Sequence, residues 1–106
     1  MNSVQNPQSR RYLRAAGPFD GCRLDGRRIE VQVLALGVGG CFIKPIAEQE
    51  IGKRWPLQIY LREDGFVELS ATTLYHLGDG SAVTFFNLPQ DAFERIRRTV
   101  DRLKTD

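Results

Sequence analysis

The sequence predicts an all-β domain, a six-stranded antiparallel β-barrel with one C-terminal α-helix. Three observations carry this prediction. Short segments rich in β-branched and aromatic residues recur along the chain, and Gly- or Asp-containing turn signals separate them. One of them, Arg28 to Leu34, alternates apolar and polar residues as a half-buried strand does. After Asn87-Leu88-Pro89 the apolar period lengthens from two to three and four, the period of a helix packed on one side.

Taken in order, residues 1–9 are polar, contain Pro7 and show no periodicity, which predicts a flexible N-terminal tail. Arg10-Arg11-Tyr12-Leu13-Arg14 follows, with Arg10 and Arg14 four apart and so on one face if the segment turns helical. Ala15-Ala16-Gly17-Pro18 interrupts any such helix. Phe19 to Leu24 is the expected first strand, and Asp25-Gly26 turns it. In the second strand Ile29, Val31 and Val33 face one way, while Arg28, Glu30, Gln32 and Leu34 face the other.

Gly37, Gly39 and Gly40 lie between that strand and an apolar return, Cys41 to Lys44. Glycine reaches positive φ without a Cβ clash, so the cluster predicts a tight hairpin reversal or a close approach of backbone. Dinucleotide and P-loop glycines instead open a helix whose N-terminus meets phosphate. Pro45 and the strand-favouring residues before it argue against that reading here.

Pro45 to Arg54 is a polar connection, and Trp55 to Leu61 is the fourth strand. Glu63-Asp64-Gly65 turns into Phe66 to His76, with Val67, Leu69, Ala71 and Thr73 on one face. Gly78-Asp79-Gly80 reverses the chain into Ser81 to Phe86. A helix follows over about 89–104, with Pro89 in its first turn and Asp91 and Glu94 near its positive end. Its core stripe is Phe93, Ile96, Val100 and Leu103. Its arginines, interspersed with Asp91, Glu94 and Asp101, form the expected solvated face.

The 106 residues suffice for one domain with a modest core. The composition, 42% hydrophobic and 26% charged, is that of a soluble globular chain. No run approaches the roughly 18 apolar residues of a membrane helix, and no secretory signal opens the chain, so a cytoplasmic location is the expectation. In that compartment Cys22 and Cys41 are expected as free buried thiols. With a single histidine, His76, they make poor material for zinc, and no metal or cofactor is expected. A net charge of +2, from 15 basic and 13 acidic residues, argues against bulk nucleic-acid binding. No serine, cysteine or carboxylate pairs with His76 by sequence spacing, and Asp64, Glu68 and Asp79 form no evident acid–base pair, so no enzyme is expected.

The strand order, the arginine segment and the glycine turn together resemble the PilZ domain family, over nearly the whole chain from about Ser9. The resemblance implies a PilZ-like barrel and a bacterial second-messenger receptor for cyclic di-GMP, acting on an effector protein. The family's signature pairs Arg-x-x-x-Arg with Asp/Asn-x-Ser-x-x-Gly. The first half stands here as Arg10 to Arg14. The second reads Ala35-Leu36-Gly37-Val38-Gly39-Gly40, in which only Gly40 matches. The implied ligand-binding residues are Arg10, Arg11, Arg14, Gly37, Gly39 and Gly40.

Arginine forks suit phosphate oxygens and guanine O6 and N7. The missing Asp and Ser, at about 1–3 kcal/mol each, remove roughly 2–6 kcal/mol of binding. Backbone N–H groups at Gly37 and Gly39 are candidates to recover part of it. Beside each functional reading stands a plain one: a solvated basic segment for the arginines, a structural turn for the glycines, and a partly exposed strand end for Tyr75 and His76 rather than a stack on a guanine. The alternative function is a degenerate domain that no longer binds cyclic di-GMP and serves as a protein–protein adaptor, for example in motility or pilus assembly.

Overall fold

In the computed structural model, which describes residues 14–105, the strands are β1 (Arg14–Arg23), β2 (Ile29–Leu36), β3 (Gly40–Lys44), β4 (Arg54–Tyr60), β5 (Phe66–Leu77), β6 (Gly80–Phe86) and the two-residue β7 (Lys104–Thr105). A 3-10 turn spans Arg62–Asp64, and the helix α1 spans Gln90–Leu103. Arg10 and Arg11 lie outside the described residues. The strands run in the order β2-β3-β6-β5-β4-β1, all antiparallel, and β1 also pairs with β2. That last pairing closes a six-stranded barrel.

Alternation places the core. Val67, Leu69, Ala71 and Thr73 of β5 point inward beside Trp55, Leu57 and Ile59 of β4, all buried. Thr73 carries the one hydroxyl in this set, and the Trp55 indole N–H donates to its Oγ1 at 2.9 Å. A satisfied hydrogen bond removes the desolvation cost that a buried hydroxyl otherwise carries.

Two irregularities depart from the expected alternation. β2 shifts register between Val33 and Ala35, so Val31, Val33 and Leu36 are buried although the last interval is three. β5 shifts between Thr73 and Tyr75, after which Leu74, Tyr75 and Leu77 are exposed. An extra residue in one strand of a pair reverses which side chains face in.

The first strand also begins earlier than expected. Ala15 and Ala16 pair with Leu36 and Ala35, and Arg14 and Ala15 pair on their other edge with Thr105 and Lys104. Residues of low β-propensity are drawn into a strand here by partners on both sides.

The helix buries Ala92, Ile96, Thr99 and Val100, while Phe93 and Leu103 are only half-buried. The expected stripe therefore holds at Ile96, Val100 and Leu103 and extends sideways to Ala92 and Thr99, while Phe93 lies at its margin. Ala92, Ile96, Thr99 and Leu103 follow the line of 3.6 residues per turn, with Val100 beside it. The reason lies in Asp64. Thr99 Oγ1 and Arg102 Nη1 donate to Asp64 Oδ2 at 2.7 and 2.6 Å, Arg95 Nη1 donates to the Asp64 carbonyl at 3.1 Å, and Arg98 lies 3.7 Å from Oδ1. Part of the face expected to be solvated thus clasps the 3-10 turn. Arg97 keeps to the surface with Glu94 and Asp101.

The Thr99 hydrogen bond first, and then that of Arg102, hold the Asp64 carboxyl below its ordinary range. A depressed folded value contributes stability that is complete at neutral pH and fades as pH falls through the ordinary carboxylate range towards the folded value. Asp64→Asn is expected to cost about 1–2 kcal/mol at neutral pH. Urea melts of wild type and variant should converge as the pH is lowered towards about 3.

Candidate functional site

The β2–β3 turn is held by its own backbone. Gly37 N–H donates to the Gly40 carbonyl at 2.9 Å, and the Gly39 carbonyl accepts Phe85 N–H at 2.9 Å and the Thr84 hydroxyl at 3.1 Å. Gly37, Gly39 and Gly40 do not use positive φ; the described glycines that do are Gly26, Gly52, Gly65 and Gly78. What Gly40 provides is close approach. A Cβ there would run into the Val83 carbonyl of β6, so any side chain pushes β3 off its partner strand. At Gly39 a Cβ would meet nothing within 4 Å, so this residue faces open space. The Gly37 N–H, a candidate donor for a ligand, is instead spent on closing the turn.

Beside the turn lies a groove of about 440 Å³, lined by Arg14, Ala35, the Gly37–Gly40 turn, Cys41, Phe42, Tyr75 and Ala82. Its floor follows from the register. Ala35 pairs with Phe42, Phe42 with Ala82, and Ala82 with Tyr75, a cross-strand row over β2, β3, β6 and β5. Both register shifts are needed to bring this row to the outer surface. Ala82 leaves a depression between the Phe42 and Tyr75 rings, and Gly80 supplies the space that the Phe42 ring occupies.

Arg14 stands exposed at the β1 side of the groove, and Tyr75 is 53% exposed at the β5 side. An exposed ring beside a shallow apolar floor is a surface on which a flat base can stack. Desolvation pushes the half-buried Cys41 thiol above its usual range, which favours its protonated form.

The structure thus brings Arg14, Gly37, Gly39, Gly40 and Tyr75 to one groove. Ala35, Phe42 and Ala82 belong to it too. Sequence reasoning missed Phe42 and Ala82, because their position depends on cross-strand register rather than on any local pattern.

His76 does have a serine partner, contrary to expectation. Its Nδ1 lies 2.8 Å from Ser81 Oγ, which also accepts Ala47 N–H at 2.8 Å. The hydroxyl proton is then available for Nδ1. Ser81 is fully buried, so its oxygen has no open side for a substrate, and the pair ties the 45–53 loop to the β5–β6 hairpin. A second groove of about 490 Å³, against β1, β2 and β4, mixes Asp20 and Glu30 with Arg28 and Lys44 and holds none of the sequence-predicted site residues. Among the described residues no helix is long and apolar enough to cross a membrane.

Gly40→Ala is expected to lower stability by about 1–3 kcal/mol, whereas Gly39→Ala stays within about 0.5 kcal/mol. Thermal melts of the two variants check the contrast.

No family model and no curated protein matches the sequence. Solved structures do match the fold. The PilZ domain of YcgR from Escherichia coli, solved with c-di-GMP, superposes with a TM-score of 0.68 at 18% identity, over 88% of this chain and 89% of that one. The Bacillus subtilis inhibitor of motility MotI/DgrA gives 0.73 at 15% identity, over 96% of this chain and 52% of that one. MrkH of K. pneumonia gives 0.69 at 17% identity, over 97% and 51%. The chain therefore spans about half the length of the latter two, and it has the fold of a PilZ domain.

Proposed function

We propose that this PilZ-fold domain is a non-catalytic receptor module for cyclic di-GMP that passes its ligand state to an effector protein. The observation that carries this reading is the meeting of Arg14 with the Gly37–Gly40 turn in one groove, although more than twenty residues separate them in sequence. Arg14 is the charged group for phosphate or for guanine O6 and N7. Tyr75 and Phe42 offer stacking faces. The arginines at 10 and 11 lie four and three residues before Arg14 and would close over the ligand from the β1 side, giving up conformational entropy that their contacts must exceed. The c-di-GMP named in the YcgR structure supports the ligand class.

One observation favours a second reading, a protein–protein adaptor that has lost the ligand. Ala35 and Gly37 replace the Asp or Asn and the Ser of the resembling family. The apolar side chains of Leu74 and Leu77 on β5 are also 50% and 65% exposed. Surface of that kind suits a protein partner as well as a nucleotide.

Calorimetric titration of the chain with cyclic di-GMP separates the two. The receptor reading expects micromolar binding, weakened at least about ten-fold in Arg14→Ala by loss of a charged fork. In Tyr75→Ala the weakening should correspond to about 1–3 kcal/mol of stacking. Absence of heat up to about 1 mM ligand would leave the adaptor reading standing.

A further inference from the structure

Arg14 is seated by the C-terminal strand. The β1–β2 ladder begins at Ala15, so β2 gives Arg14 no partner. The β1–β4 ladder runs only from Gly21 to Arg23 and does not reach this point. Arg14 pairs instead with Thr105, and Ala15 pairs with Lys104 on one edge and with Leu36 on the other. Among the described residues β7 is therefore the one strand that pairs with Arg14. It lies on the edge of β1 away from β2, and neither of its residues lines the groove.

Little slack joins β7 to the body of the fold. α1 ends at Leu103, and Lys104, with φ of −59° and ψ of 147°, takes the chain from helix to extended in one step. Just before that step Arg102 Nη1 donates to Asp64 Oδ2 at 2.6 Å, and Leu103 packs on the core. A clamp at Arg102 thus fixes where β7 runs, and β7 fixes where Arg14 stands. A strand end without a partner frays, and fixing it when a ligand arrives costs conformational entropy. A residue already held in place spares the ligand that cost.

We propose that β7 is the positioning element for Arg14: by pairing with it, Lys104–Thr105 hold the arginine at the groove before the ligand binds and so raise the affinity for cyclic di-GMP. β7 touches no ligand and acts through Arg14 alone. Linkage makes the effect reciprocal, so bound ligand holds β7 in place by the same factor. This inference rests on the receptor reading above.

The test shortens the chain to end at Leu103, which removes Lys104 and Asp106 together and leaves the net charge unchanged. In calorimetric titration the shortened chain is expected to bind cyclic di-GMP about five- to thirty-fold more weakly than the full chain, the factor for ordering one backbone residue. In an Arg14→Ala background the same shortening should change affinity by less than about two-fold, because the group it positions is gone. Without ligand, amide exchange should speed up at residues 14–16 and stay unchanged at residues 21–23, where β1 pairs with β4. Should the shortened chain fail to fold, two glycines inserted between Leu103 and Lys104 keep β7 but give it slack, and binding should weaken in the same direction.

Equal affinity of the full chain and the altered one overturns the proposal, as does unchanged exchange at residues 14–16. An equal loss in the Arg14→Ala background also overturns it, since β7 would then act on the fold at large. All three results leave the receptor reading intact. If the full chain binds no cyclic di-GMP, the receptor reading fails first and takes this inference with it.

Discussion

Pairing of β1 on both edges is the constraint on which the rest of the molecule depends. One edge bonds β2 from Ala15 to Arg23, and the other bonds β4 from Gly21 to Arg23. A closed barrel leaves none of its six strands with an unpaired edge to recruit a partner. Its interior is filled by side chains such as Phe19, Leu36, Leu57 and Ile59, all buried. Recognition is consequently displaced to the outer wall, the turns and the strand ends, which is where the groove lies.

The groove itself is a product of two register shifts. Without the one in β2, strict alternation would turn Ala35 inward with Val31 and Val33 and put Leu36 outside. The shift in β5 likewise sets Tyr75 opposite Ala82 on the outer face. Bulges re-aim side chains through a local disruption of the ladder, and pairing resumes beyond them. In this barrel they do so on two strands flanking β3 and β6, and the result is a continuous row of alternating small and aromatic residues.

Much of the fold was legible because it rests on local pattern. The inward set Val67 to Thr73, the turn at Gly78–Gly80 and the existence of the final helix all follow from spacing. What depends on pairing did not come through. Ala15 and Ala16 look like a break until β2 and β7 are placed beside them. The helix stripe was read correctly at Ile96, Val100 and Leu103, but Ala92 was missed in favour of Phe93, and Thr99 was missed because it looks polar in sequence and is buried against Asp64. The glycine cluster was rightly read as a turn, but its reason differs: Gly40 lies against β6, a strand some forty residues away in sequence. The His76–Ser81 contact was within reach, since counting outward from the hairpin sets these residues opposite each other. Of the site, the residue types at Arg14 and the turn were legible, whereas the floor that joins them was not.

The β7 strand adds a mechanical consequence. Residues 14 and 105 sit side by side in an antiparallel pair, with Ala15 and Lys104 next to them. Tension applied between these two points loads that short ladder one rung at a time, as a zipper opens, together with the first rung of the β1–β2 ladder at Ala15. The helix behind it is tied to Asp64 through Thr99, Arg98 and Arg102. The seam beside Arg14 is thus a mechanical fuse, the place where a pull on the ends of the fold is felt first.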